Sequence, residues 1–210
     1  NEANTQVLKF NNYSFTSIGG GGITWGTQNH TPTFPNNRYL LDFNGDGKSD
    51  VIILHNNGFR IYTLQENGTT PTFALLISGD YPNVNTGIYF GDFNGDGKTD
   101  LLTQKVVQYG GDDDNETAIH FSKGNSFETK VLPFMQKYLK KLHIGDYNGD
   151  GKSDFACYYQ GNLVIGFSTS RTFTITTHSK ALINNAIVVS DFNGNGRDDI
   201  LENTYYYPCN

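Results

Sequence analysis

Short runs of apolar, β-branched and aromatic residues recur along the chain, divided by Gly, Asn, Asp and Ser. They read "RYLL" and "VIIL", then "IYF" and "LL", then "KLHI" and "FACYY", then "IVV" and "IL". Runs this short, bounded by turn residues, predict strands. No stretch shows the spacing of a long amphipathic helix, and no apolar run approaches the ~20 residues of a membrane-spanning helix.

The intervals between these pairs hold further strand patterns. "FRIYTL" and "TFALLI" follow the first pair, "AIHFSKGNSFETKVL" the second and "NLVIGFSTSRTFTITT" the third. Each unit then reads strand, acidic loop, strand, hairpin, strand, hairpin, strand. Four antiparallel strands in a repeat of about 50 residues describe a propeller blade. The expected fold is all-β, a β-propeller of four-stranded blades forming a single domain over residues 1–210. Composition agrees: 14% aromatic residues and 24 glycines, with one Met and one Trp, suit a turn-rich β protein.

Each strand pair encloses a near-identical loop: "DFNGDGKSD" at 42–50, "DFNGDGKTD" at 92–100, "DYNGDGKSD" at 146–154 and "DFNGNGRDD" at 191–199. First aspartates lie 50, 54 and 45 residues apart. Eleven of the 21 acidic residues are the alternating aspartates of these loops; without those eleven charges the net −6 would become +5. Carboxylates this close repel one another unless a cation lies between them. Hard oxygen ligands in this number suit calcium better than magnesium, which demands stricter geometry and keeps more of its water.

Numbered within the loop, Asp42, Asn44 and Asp46 occupy positions 1, 3 and 5, the Lys48 carbonyl position 7 and Asp50 position 9, with Gly47 allowing the turn. The same set is Asp92, Asn94, Asp96, Lys98 and Asp100 in the second loop, and Asp146, Asn148, Asp150, Lys152 and Asp154 in the third. In the fourth it is Asp191, Asn193, Asn195, Arg197 and Asp199. Up to four calcium ions are expected. An EF-hand would need a bidentate Glu at position 12 and flanking helices. Position 12 is Ile53, Thr103, Cys157 and Glu202 in turn, and the flanks are strand-like.

This loop, between short strands and at this period, resembles the FG-GAP or VCBS repeat. That is the calcium-loop blade of integrin α-subunit propellers, many bacterial extracellular proteins, the B components of insecticidal toxin complexes and some fungal lectins. The resemblance implies calcium on the loop aspartates and a binding or scaffolding role with no fixed activity. The fourth loop departs, with Asn195 where its counterparts carry Asp and with Arg197 nearby, so its site is expected to be weakest.

The fourth repeat is read as ending after its second strand, while the N-terminal "VLKFNNYSFTSI" matches a third-and-fourth-strand hairpin. Together they would close a four-bladed ring without exposed sheet edges. A fragment of a larger ring, or two chains completing one ring, are the competing readings. Long insertions gather on the face opposite the acidic loops, where Trp25, Tyr81, Tyr109 and Tyr138 are candidate ligand platforms. For each, packing is the plainer explanation. The run Asp112, Asp113, Asp114 lacks the alternating spacing and reads as a solvated hairpin tip.

No HExxH or GxSxG motif and no phosphate-binding glycine loop occurs, so the chain is expected not to be an enzyme. A protein or glycan partner is expected, and nucleic acid is disfavoured by the net acidity. The leading reading is a secreted or cell-surface adhesion or scaffolding module, calcium-stabilised and not inserted in a membrane. A calcium-dependent lectin is the alternative and a polysaccharide lyase a minor one. "NEANTQVLKF" lacks signal-peptide character and is read as the start of a mature secreted chain or of an excised piece. Cys157 reads as a small buried apolar residue, with a bond to Cys209 left open.

Overall fold

The computed structural model describes residues 7–11, 14–19, 38–55, 58–66, 71–80, 87–105, 116–133, 135, 141–179, 187–202 and 205–209. Trp25, Tyr81, Tyr109, Tyr138 and Asp112 to Asp114 lie outside them. The chain divides into two compact units, Asn1–Asn83 and Val84–Asn210.

In the first unit, β1 (Val7–Asn11) and β2 (Ser14–Gly19) form a two-stranded antiparallel hairpin. The strands β3 (Arg38–Leu41), β4 (Asp50–His55), β5 (Gly58–Gln65) and β6 (Thr72–Asp80) form a four-stranded antiparallel sheet in sequence order. Residues on both faces of β4 are buried: Ile52 and Leu54 on one, Ile53 on the other. Such a strand reads as a continuous apolar run, which is why "VIIL" does not alternate.

The second unit repeats this meander. One sheet is β7 (Gly87–Gly91), β8 (Asp100–Lys105), β9 (Glu116–Ser122) and β10 (Phe127–Val131); the next is β11 (His143–Gly145), β12 (Asp154–Tyr159), β13 (Asn162–Ser168) and β14 (Phe173–His178). The last described sheet has three strands, β15 (Ile187–Ser190), β16 (Asp199–Glu202) and β17 (Tyr205–Tyr207). All neighbouring strands are antiparallel. These are propeller blades, as the sequence predicts.

One expectation is corrected. The fourth repeat does not stop after its second strand, because β17 pairs with β16 through Ile200↔Tyr207 and Glu202↔Tyr205. Three consecutive tyrosines are strong strand formers, but a three-residue strand leaves too short a pattern to read. The third place in that blade is therefore filled by 205–207.

Within the second unit, aromatic side chains fill the spaces between blades. The core of the second and third blades gathers Phe93, Leu102, Ile119, Phe121, Phe155, Cys157 and Phe173. The Phe173 ring meets Phe155 edge to face at 4.9 Å and Phe93 at 5.8 Å, a geometry favoured by ring quadrupoles. Between the third and fourth blades lie Tyr147, Ala156, Ile165 and Ile200, with Val189 and Cys209 packed against them. Cys157 and Cys209 are both free thiols; burial pushes the Cys157 thiol up to about 12, which suits an inert apolar filler. Arg171, in the turn before β14, pairs with Glu128 of the second blade and lies 5.8 Å from the centre of the Phe121 ring.

Candidate metal centre

Each acidic loop joins the first two strands of a blade and is wound around its own side chains. Asp42 Oδ1 accepts the amides of Gly45 at 2.8 Å and Asp46 at 3.1 Å, and Oδ2 accepts that of Gly47 at 2.9 Å. Asn44 Oδ1 takes the Asp46 amide and Asp46 Oδ1 the Lys48 amide, both at 2.9 Å. The path needs φ of 76° at Gly45 and 79° at Gly47, in the left-handed region that glycine enters without a Cβ penalty. The other three loops repeat these bonds from Asp92, Asp146 and Asp191 within a few tenths of an ångström.

The ninth residue behaves differently. Asp50, Asp100, Asp154 and Asp199 are 0% exposed and lie beneath their loops. Oδ2 of each accepts the amide of the loop's second residue, from Phe43, Phe93, Tyr147 and Phe192, at 3.0 to 3.2 Å. In three loops Oδ1 accepts an amide from the third strand or beyond it: Ser122 at 2.8 Å, Ser168 at 2.7 Å and Cys209 at 2.8 Å. These aspartates bolt the loop to the sheet. Among the described residues no main-chain amide reaches Oδ1 of Asp50 in the same way. In that blade the β5–β6 pairing shifts register between Ile61 and Tyr62.

Electrostatics follow from this burial. Burial pushes the Asp100 carboxyl up to about 7, with the Ser122 and Phe93 amides opposing it and Asp96 and Asp92 adding to it. Asp154 is likewise pushed up to about 7, chiefly by burial, and burial raises Asp50 while the Thr63 hydroxyl opposes. The exposed rim has its own counter-charges: Lys98 Nζ is 3.4 Å from Asp96 and Lys152 Nζ 2.9 Å from Asp150, whereas Lys48 pairs with Glu66 at 3.5 Å.

Adjacent loops of the second unit also touch. The Ser153 amide donates to the Asp92 carbonyl and the Asp198 amide to the Asp146 carbonyl, each at 2.7 Å. Asp198 Oδ2 also accepts the Asp146 amide at 2.7 Å. Spacing within one loop could not reveal Asp198, since its partner lies in the preceding repeat.

Among the described residues no three His, Cys, Asp or Glu side chains form a metal cluster. The loop offers a different donor set: carboxylates at positions 1 and 5, an amide oxygen at 3 and a main-chain carbonyl at 7, above a buried carboxylate at 9. In the fourth loop Asn195 replaces the carboxylate at position 5, and its Nδ2 donates to the Cys209 carbonyl. A set made only of hard oxygens fits calcium in its chemistry.

Solved structures share the fold. A lectin of Agrocybe aegerita, described as specifically recognising non-reducing terminal N-acetylglucosamine, superposes with a TM-score of 0.57 at 17% identity, over 78% of this chain and 45% of the lectin. The Photorhabdus luminescens Tc holotoxin pore gives 0.53 at 18% identity, over 80% of this chain and 8% of the toxin chain. An exotype rhamnogalacturonan lyase gives 0.51 at 15%, over 82% and 39%. The chain thus spans less than half the length of each of these proteins. A search of curated proteins found no match. The family model described as FG-GAP-like repeat matches residues 42–103 and 146–202, more than half of the sequence and the whole of all four acidic loops. The chain belongs to the FG-GAP-like repeat family.

Proposed function

We propose that this chain is a calcium-stabilised propeller module that binds a partner and carries out no catalysis. The observation that supports it most is the repeated loop: four copies wind oxygen donors around the same glycine turn and rest on a buried aspartate. Such loops would hold calcium through Asp42, Asn44, Asp46, the Lys48 carbonyl and Asp50, and through their counterparts. The ion would supply charge neutralisation and cross-linking of the loop; the chain supplies a rigid blade. Lys98 and Lys152 neutralise one carboxylate each and leave the remaining loop charge for the cation.

The partner reading is adhesion or scaffolding outside the cell, with a protein ligand. Calorimetric titration of chelator-stripped chain with calcium tests the metal half of this proposal: saturable binding at three or four sites supports it, and no heat at millimolar calcium sinks it. A glycan-binding reading is second, favoured by the fold shared with the lectin. A glycan array probed in calcium and again in chelator separates the two, since selective binding lost in chelator would put the lectin first.

A further inference from the structure

We propose that Asp198, although it belongs to the fourth loop, is a positioning residue for the third: it fixes Asp146 and adds negative charge beside it. The inference rests on the calcium reading above and extends it by assigning a residue outside the five ligand positions to a neighbouring loop.

Position 8 is Ser49, Thr99 and Ser153 in the first three loops and Asp198 in the fourth. Its neighbour Asp199 is buried within its own blade. In extended chain successive side chains point to opposite sides, so Asp198 is turned away from the loop that contains it. Its carboxylate reaches the third loop instead. Asp198 Oδ2 accepts the Asp146 amide and the Asp198 amide donates to the Asp146 carbonyl, both at 2.7 Å, so one residue grips Asp146 by both main-chain groups. Ser153 makes the second of these bonds to Asp92 with the same length, but its hydroxyl brings no charge.

The fit requires a bare backbone opposite. A Cβ added to Gly145 would stand 2.7 Å from Val189 Cγ1, 2.8 Å from Asp198 Oδ2 and 3.2 Å from the Asp198 Cβ, and one on Gly91 would stand 2.6 Å from the Ser153 side chain. The residue before the first aspartate is therefore Gly where the next loop packs against it. Asp146, held this way, winds the third loop through bonds to Gly149, Asp150 and Gly151 at 2.7 to 3.2 Å. Partners that orient a metal ligand commonly contribute roughly 10- to 100-fold in affinity, and a nearby carboxylate attracts a divalent cation directly. The third repeat lays Lys152 and neutral Ser153 against the second loop, whereas the fourth lays Arg197 and Asp198 against the third, which is thereby one negative charge better supplied than the second.

The test isolates single loops in the full chain. Asp46→Ala, Asp96→Ala and Asn195→Ala together leave the third loop intact, and calcium binding is measured by calorimetry with and without Asp198→Ser. The expected result is a dissociation constant raised roughly 10- to 100-fold, with Asp198→Asn, which keeps an acceptor for the Asp146 amide, falling between. A background with Asp46→Ala, Asp96→Ala and Asp150→Ala leaves only the fourth loop, where Asp198→Ser should change nothing. An unchanged constant in the third-loop background, or weakening confined to the fourth, overturns the inference. No calcium binding in the third-loop background, with the parent chain silent as well, overturns the calcium reading beneath it. A purely structural role would lower the chelated melting temperature while leaving the calcium constant alone, and that outcome also overturns it. Should Asp198→Ser fold poorly, Asp198→Asn alone carries the test, with a smaller rise of the same constant expected and an unchanged constant overturning the inference.

Discussion

Replacing Asp154 with Ala separates the work of the buried ninth residue from that of the exposed loop positions. The change removes the acceptor for two main-chain amides, Ser168 at 2.7 Å and Tyr147 at 3.1 Å, at a side chain that is fully buried. An orphaned buried donor costs about 1–3 kcal/mol, so two cost about 2–6 kcal/mol. Relief of the burial cost that pushes this carboxyl up to about 7 offsets part of that, and we expect a net loss of about 3 kcal/mol on the same bookkeeping. Asp150→Ala is the control. That side chain is half-exposed and pairs with Lys152 at 2.9 Å, and a surface pair of this kind contributes about 0–1 kcal/mol. The assay is urea denaturation in excess chelator, where no cation contributes and the slope of free energy against urea checks that both variants unfold similarly. A loss below about 1 kcal/mol for Asp154→Ala, or equal losses for the two variants, would refute the claim that the ninth aspartate bolts the loop to the sheet.

Other consequences are separately measurable. Phe173→Ala removes the ring that meets both Phe93 and Phe155, and should cost about 3–5 kcal/mol by chemical denaturation; a loss under about 1 kcal/mol would show that this inter-blade core is not closely packed. Gly166→Ala drives a methyl group into the buried Phe155 ring and should cost about 1–3 kcal/mol, with an unchanged denaturation midpoint counting against it. His120 is held through Nε2 by Thr103 and through Nδ1 by Thr129, each at 2.9 Å, and burial lowers its pKa below 6.5. The unfolded chain then takes up this proton more readily than the folded one, so stability is full above 6.5 and falls as pH drops below that value. His120→Gln should flatten the decline below about pH 6.5; parallel curves for parent and variant would reject this assignment.

Much of the architecture was legible because each blade repeats the same signals. "VIIL", "LL", "FACYY" and "IL" directly follow a loop whose turn chemistry marks the strand boundary, and β5, β6, β9, β10, β13 and β14 fall where the apolar runs place them. The strand β17 was illegible because three residues carry no period. The loop pattern gave positions 1 to 9 as one ring of oxygen donors, yet Asp100 and Asp154 are also buried anchors. Their partners are main-chain amides of Ser122 and Ser168, groups that every residue but proline carries, so no side-chain motif announces them. Asp198 was missed for a related reason: it reaches 52 residues back to Asp146, beyond any spacing read within one loop.

The most direct test of the account is the melting temperature of the calcium-loaded chain against the same chain stripped by excess chelator. One site filled at a hundred times its dissociation constant adds about 2.7 kcal/mol, worth about 5–10 °C for a chain of this size. The account predicts a fall of at least that much on chelation, reversed by adding calcium back. Superimposable melts, starting from protein saturated with calcium, would contradict it.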